Sequence, residues 1–297
     1  MRHGRTNSDS KAPSGRSTGI SSSPRKKTPR KRNDDAATHL RTSRHGRSDR
    51  SVVRPGHELC SLLVEAGVAT VGVDLAAAQD NLAALAGYRH VAGDVAGEAT
   101  WEKVVARLRS SGAKRIGLVT SAAILDVGTI LEATPAIMSR ALNVNIVGTA
   151  LAIKFLLPLM IEAHDGTIVV VASVNATLAE QQLGIYNATK AAVRQLARTV
   201  ALDHSRSGVR ANVLSPGPML AGLFKRHLES ATDSDKFLAT RSARQPGGRI
   251  LEAREVAQAA MFLLSSGSTA VLGADLVADG GLTASFDFRI GEERASI

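Results

Sequence analysis

The feature that most limits what this chain can fold into is a repeated alternation. Short β-branched or apolar runs follow one another, each separated from the next by a stretch with helical period. ATVGVDL (69–75), YRHVAGDV (88–95), KRIGLVTSAA (114–123), TIVVV (167–171), VRANVLSPGP (209–218) and GADLVADGG (273–281) read as strands. Between them, HELCSLLVEAG (57–67), AAAQDNLAALAG (76–87), ATWEKVVARLRSSG (99–112), Ala136–His164, a segment opening near Tyr186, and Glu252–Ser265 carry apolar residues at helical spacing. Strands that are buried runs rather than alternating ones, each followed by a helix, specify right-handed crossovers and a parallel sheet covered on both faces. The fold class is therefore α/β, as a single domain.

Composition matters most for where charge sits. The 297 residues carry a net charge of +10. Residues 1–54 hold 15 Lys/Arg against four Asp/Glu, a net of +11, and the remainder has a net of −1. Residues 1–51 are expected to be a disordered basic tail, too poor in apolar side chains to offset their ordering entropy, and residues 52–297 the folded domain. The basic run SSSPRKKTPRKR (21–32) is the one place where nucleic acid would bind, and a solvated tail is the plainer reading. One cysteine, Cys60, excludes an internal disulfide framework and fits a cytoplasmic protein. The most apolar run, Thr149–Met160, is short and interrupted by Lys154 and Pro158, so no membrane association is expected. No metal site is expected.

The chemistry is concentrated in TIVVVASVNATLAEQQLGIYNATK (167–190). Ser173 stands at a strand end. Tyr186 and Lys190 are four residues apart, so on a helix they share a face. A hydroxyl, a phenol and an ammonium that converge can run proton transfer at an alcohol or carbonyl carbon, with the ammonium favouring the phenolate and lowering the phenol's pKa.

Ser173, the step of thirteen to Tyr186 and the Tyr-x-x-x-Lys of YNATK resemble the active site of the short-chain dehydrogenase/reductase family. Other elements extend the resemblance across about residues 52–288. Asn145 and Gly148 of LNVNIVGT match the family's Asn-x-x-Gly, which makes Asn145 a fourth catalytic candidate. A structural hydrogen bond to a neighbouring strand is the plainer role for a buried helix Asn. Asp74, ending the second strand, is placed to accept the ribose hydroxyls of an adenosine and to repel a 2′-phosphate, so NAD(H) is expected over NADP(H). Asp94-Val95 resembles the adenine-contacting Asp-Val, Pro216-Gly217 the Pro-Gly beside the nicotinamide, and Gly56 the last glycine of the cofactor turn. Thr120 and Ala122 fall in the turn after the fourth strand, where Thr120-Ser121-Ala122-Ala123 replaces the usual Asn-Asn-Ala-Gly. Ala221 replaces a Thr beyond Pro216-Gly217.

The resemblance implies a Rossmann-like doubly wound sheet and an oxidoreductase that interconverts a secondary alcohol and a ketone, with Tyr186 as acid/base. It also implies a homo-oligomer, dimer or tetramer, built through the Ala136–His164 and Tyr186–Ser205 helices. The start departs from the pattern. Counting back from Gly56, the family's other turn glycines fall on Arg50 and Arg54 and its Thr on Asp49, and TSRHGRS (42–48) holds no Val, Ile, Leu or Phe. The first strand is thus expected to be degenerate. Three accounts stay open: a shifted reading frame ahead of Gly56, a non-catalytic variant that keeps the fold for assembly or tail-borne interactions, and weak NAD binding through a distorted turn. The segment MLAGLFKRHLESATDSDKFLATRSARQPGG (219–248) reads as a lid. Its Lys225, Arg226 and His227 are placed either to meet an acidic ligand or, as the plainer reading, to face solvent.

Overall fold

The computed structural model describes residues 37–40, 55–229 and 231–284. Its centre is a seven-stranded sheet of β1 (Ala37–Leu40), β2 (Thr70–Asp74), β3 (Tyr88–Ala92), β4 (Ile116–Thr120), β5 (Gly166–Val171), β6 (Val209–Pro216) and β7 (Asp275–Ala278). The strands lie in the order β3-β2-β1-β4-β5-β6-β7. Every neighbouring pair is parallel. The chain leaves β1 in one direction for β2 and β3 and returns on its other side to β4, so the strand order reverses between β1 and β4. A ligand crevice forms beyond the strand ends at such a point. This is the Rossmann-like arrangement.

One difference from the sequence reading concerns β1. Ala37–Leu40 lies inside the segment assigned to the tail, yet its backbone pairs on both sides, Ala37 with Thr70 and Gly117, Leu40 with Val73 and Thr120. A four-residue strand flanked by two others is specified by ladder hydrogen bonds more than by its own apolar pattern, so a hydrophobicity reading passes over ATHL. The rest of residues 1–51, with the basic run 21–32, lies outside the described residues, as do Asp49, Arg50 and Arg54.

Helices cover both faces. On one side α3 (Glu98–Ser111), α5 (Gly148–Ala163) and α6 (Gly184–His204) meet the sheet in a core that includes Trp101, Leu108, Leu156, Met160, Ile168 and Val193. On the other, α1 (Pro55–Glu65) and α9 (Ala253–Leu264) close over Leu59, Leu63, Val169, Leu214 and Leu263. The expected helix over 76–87 shrinks to the single turn α2 (Asp80–Ala83).

The long helix expected over Ala136–His164 runs from Pro135 to Ala163 as α4 (Pro135–Leu142), a π-turn (Asn143–Val147) and α5. Thr134 caps its start through the Ile137 amide, and His164 ends it in a left-handed conformation with φ +50°. Contrary to the reading of Thr149–Met160 as too short, this 29-residue helix is long and apolar enough to cross a membrane by length and composition. The cause is visible in its packing: Ala152, Ile153, Leu156, Leu159 and Met160 are buried against the sheet, while Lys154 pairs outward with Glu98 at 2.8 Å. A helix that fills a core on one side is apolar for that reason.

Gly148, just past the π-turn, sits where a Cβ would lie 2.6 Å from Val95 Cγ2. The contact seats the long helix on the loop after β3, whose Val95 carbonyl also accepts from Trp101 Nε1 at 2.9 Å. Beyond β6 the chain forms α7 (Gly222–Glu229) and α8 (Ser234–Ala243), a two-helix lid held together by Phe224, His227 and Phe237, with ring centroids 5.0 to 5.8 Å apart.

Candidate active site

A cavity of about 890 Å³ opens at the C-terminal ends of β4, β5 and β6, under the lid. Ser173, Tyr186 and Lys190 line one wall of it, with Pro216 and Gly217 beside them and Gly56 at the first turn of α1. Each position has a local cause. Ser173 follows β5 and caps a short 3-10 turn, its Oγ accepting from the Asn175 amide at 3.1 Å. Tyr186 and Lys190 lie one turn apart in the first half of α6, so the same helix face brings both to the cavity. Ser173 lies near the Tyr186 phenol and favours its ionised form. Lys190 is 4% exposed, donates to the Val171 carbonyl at 2.8 Å, and holds its ammonium 5.7 Å from the centre of the Tyr186 ring.

The electrostatics differ from the expectation that Lys190 lowers the phenol's pKa. Burial pushes Tyr186 up to about 12; the Ser173 hydrogen bond pulls it down, and the charge of Glu180 pushes it up again. Burial moves Lys190 the other way, to about 8. Both groups are displaced toward their neutral forms because desolvation is the largest cause for each.

A pH dependence follows. A buried ammonium with a folded-state pKa near 8 and an unfolded value near 10.5 penalises the native state below pH 8, and the penalty lifts as pH rises from about 8 to 10.5. Tyr186, raised from 10 to about 12, contributes stability that is complete below pH 10 and is lost as pH climbs through 12. Chemical denaturation across pH 7 to 10 is expected to show the Lys190 increment, and Lys190→Met to lack it. An identical slope in that variant would assign the effect elsewhere.

Asn145 does not line the cavity. It is 1% exposed, in the π-turn, and spends its whole side chain on protein: Oδ1 accepts from the Ile124 amide at 2.8 Å, and Nδ2 donates to the Ile124 carbonyl and the Thr189 hydroxyl, both at 3.0 Å. Thr189 in turn donates to the Tyr186 carbonyl at 2.8 Å. The structural role anticipated for this residue is present, tying the segment after β4 to the start of α6. π-turns of this kind concentrate at functional sites.

After β4 it is Ser121 and Ala123 that line the cavity; Thr120 and Ala122 are buried beside them. The Thr120 hydroxyl, at the end of β4 where the strand pairs with Leu40, has no hydrogen-bond partner among the described residues. Ala221 is buried and lines the cavity. Asp74, 6% exposed, accepts from the Ala76 amide at 3.0 Å at the end of β2; exposed Asp94 accepts from the Ala96 amide at 2.9 Å, and Val95 is fully buried. Asp74, Asp94 and Val95 stand apart from the cavity, along the ends of β2 and β3.

These residues fit a dinucleotide. A carboxylate ends β2, Gly56 gives the cavity a side without a side chain, and Gly217 lies so close to Asp279 that a Cβ would come within 2.8 Å of it. Among the described residues there is no group of His, Cys, Asp and Glu that would hold a metal.

The family model described as enoyl-(acyl carrier protein) reductase matches residues 56–283, spanning both the cavity and the sheet beyond β1. The chain belongs to the short-chain dehydrogenase/reductase family. Dehydrogenases of this family use NAD or NADP. The chain is 36% identical over 239 residues to cis-4-hydroxycyclohexanecarboxylate dehydrogenase of Sinomonas cyclohexanicum, which covers 77% of this chain and 92% of that one. It is 38% identical over 168 residues to 2-(S)-hydroxypropyl-CoM dehydrogenase 3 of Xanthobacter autotrophicus, over 57% of this chain and 66% of that enzyme. Among solved structures, gluconate 5-dehydrogenase of Burkholderia cenocepacia, in complex with NADP and tartrate, superposes with a TM-score of 0.72 at 29% identity, covering 84% of this chain and 96% of that one.

The sequence reading named the lid but not all of the cations that reach the cavity. Of the cations singled out there, Lys225 pairs with Glu229 at 3.9 Å, His227 lines the cavity, and the Arg226 side chain lies outside the described residues. Arg241 and Arg244, at the end of α8, also line the cavity. Their sequence surroundings carry no motif; only the folding-over of the lid brings them there.

Proposed function

We propose that this short-chain dehydrogenase/reductase interconverts a secondary alcohol and a ketone, with Tyr186 as the acid/base. The observation that carries the proposal is the convergence of Ser173, Tyr186 and Lys190 on one wall of a cavity large enough for a small substrate. In this reading Ser173 donates to the substrate oxygen, and Tyr186 gives that oxygen a proton during ketone reduction and accepts one during alcohol oxidation. The phenol, held neutral by burial, is ready as the acid, with Lys190 standing beside its ring. Asn145 acts at one remove, through Thr189 and the Tyr186 carbonyl. A bound nicotinamide supplies the hydride acceptor, or the donor in reverse. Gly56, Ser121, Pro216 and Gly217 would flank it in the cavity, Asp74 would take the adenosine ribose, and Asp94-Val95 the adenine side. Names such as hydroxycyclohexanecarboxylate and hydroxypropyl-CoM dehydrogenase support a small alcohol as substrate.

The carboxylate of Asp74 at the end of β2 supports NAD(H) over NADP(H), because a 2′-phosphate would meet it as a like charge. Calorimetry with both cofactors tests this. NAD(H) is expected to bind at least about tenfold tighter, and Asp74→Ser to shrink the ratio. Equal affinity for NADP(H) in the native chain would overturn the preference.

A second reading, a chain that keeps the fold without turnover, has one observation behind it. Of the family's three turn glycines only Gly56 is kept, with Arg50 and Arg54 at the other two positions. Failure of the folded protein to bind either cofactor would favour that reading. Leu142, Val147 and Leu202, exposed on the helices expected to assemble, support a dimer or tetramer.

A further inference from the structure

The cavity's charged side chains are unevenly matched. Besides Lys190, its lining carries Arg241 and Arg244 from the end of α8, and Glu180 from the segment after β5 is its one carboxylate. Glu180 is already engaged: its Oε1 lies 2.9 Å from Arg241 Nη2, and its Oε2 accepts from Asn175 Nδ2 at 3.3 Å. Arg241 is held from behind as well, its guanidinium 5.2 Å from the centre of the Phe237 ring. Arg241 and Glu180 therefore cancel, and both are fixed. Arg244 follows directly. Its neighbour Gln245 is 3% exposed, anchored by its amide to the Ser242 carbonyl at 2.9 Å and by Nε2 to the Arg241 carbonyl at 3.4 Å. That anchor holds the turn while Arg244 stays exposed at the cavity wall, with no ion pair or side-chain hydrogen bond among the described residues. The same lining also includes the apolar side chains Val174, Met219, Leu223 and Phe224.

Tyr186 and Ser173 would meet the reacting oxygen, and the guanidinium of Arg244, with no ion pair among the described residues, faces the same cavity. We propose that Arg244 selects substrates that carry a carboxylate remote from the reacting carbon, the guanidinium pairing with it through charge-assisted, bidentate hydrogen bonds. The inference rests on the oxidoreductase reading and names its substrate class. A low-dielectric cavity wall with net positive charge also concentrates anions at its mouth, so the preference should weaken as salt is raised.

The test compares 5-hydroxyhexanoate with its neutral isostere 5-hydroxyhexanamide as substrates, using the full chain with NAD or NADP. The native protein is expected to favour the acid in kcat/KM by about tenfold, and Arg244→Gln to remove most of that ratio, mainly through KM. Equal use of acid and amide by the native protein, or an unchanged ratio in Arg244→Gln, would overturn the proposal. A second measurement is independent of turnover: hexanoate and hexanamide, which cannot react, are titrated into native and Arg244→Gln protein by calorimetry. Hexanoate binding that exceeds hexanamide binding and is lost in the variant supports the site even if neither alcohol is oxidised, in which case the oxidoreductase reading alone fails. Hexanoate that binds no better than hexanamide would overturn the proposal even if both alcohols turn over.

Discussion

Replacing Tyr186 with Phe is expected to lower turnover by about 10²- to 10⁴-fold, the usual worth of a positioned general acid. The fold should be unaffected. The substitution removes one hydroxyl that faces an open cavity, and leaves the ring that packs beside Lys190. Cofactor affinity should change little, because the residues placed to hold the dinucleotide lie along β2, β3, α1 and the Pro216-Gly217 bend. The measurement is steady-state turnover of a secondary alcohol with NAD or NADP, paired with a melting curve. Retention of more than about a tenth of the native kcat would remove Tyr186 from the chemistry and would point to another proton carrier. Ser173→Ala, which deletes a donor and leaves the acid in place, should cost less.

A substitution at Asn145 is expected to act on stability first. Leu is close to Asn in size but offers no polar atom, so Asn145→Leu would strand the Ile124 amide, the Ile124 carbonyl and an acceptor site on Thr189 inside the core. Leaving a buried polar group without its partner costs about 1–3 kcal/mol. The three share one network and will not sum fully, so a loss of about 3–5 kcal/mol is expected. For a domain of this size that is a fall of roughly 10–15 °C in Tm. Activity should fall with it, because Ile124 sits between cavity residues Ala123 and Leu125, and Thr189 adjoins Lys190. A variant with native Tm and no activity would instead place Asn145 in the reaction itself.

How much of this was legible beforehand varied with the kind of information involved. Ser173, Tyr186 and Lys190 could be read because a strand end and one helix face fix their neighbourhood over eighteen residues of chain. Of the six strands beyond β1, β2, β4, β5 and β6 could be read because each is a mostly buried run. β1 could not: ATHL has one large apolar side chain, and its place comes from two neighbouring backbones. Parity was lost after β4, where a shift of one residue separates Ser121 and Ala123, which line the cavity, from Thr120 and Ala122, which are buried. The pKa of Tyr186 was misread because sequence shows that a lysine is near but not how far the phenol is desolvated. Arg241 and Arg244 stayed hidden because nothing local distinguishes a cation on a lid from one on any other helix. Phe286 and Phe288, which would share one side of an extended C-terminal segment, lie outside the described residues.

The π-turn at Asn143–Val147 has a further consequence for how this chain can vary. A π-turn holds one residue more than an α-helical turn, so the side chains of α4 and α5 are out of phase by about 100°, the rotation of one helical position. A deletion of a single residue between Asn143 and Val147 would make the helix regular, and local hydrogen bonding would improve. Yet either α4 or α5 would then rotate its inward face away from the sheet, and the Asn145 amide could no longer point at Ile124 and Thr189 together. Length variation should therefore be tolerated at the ends of this helix and not in its middle, where an irregular backbone aims the side chain.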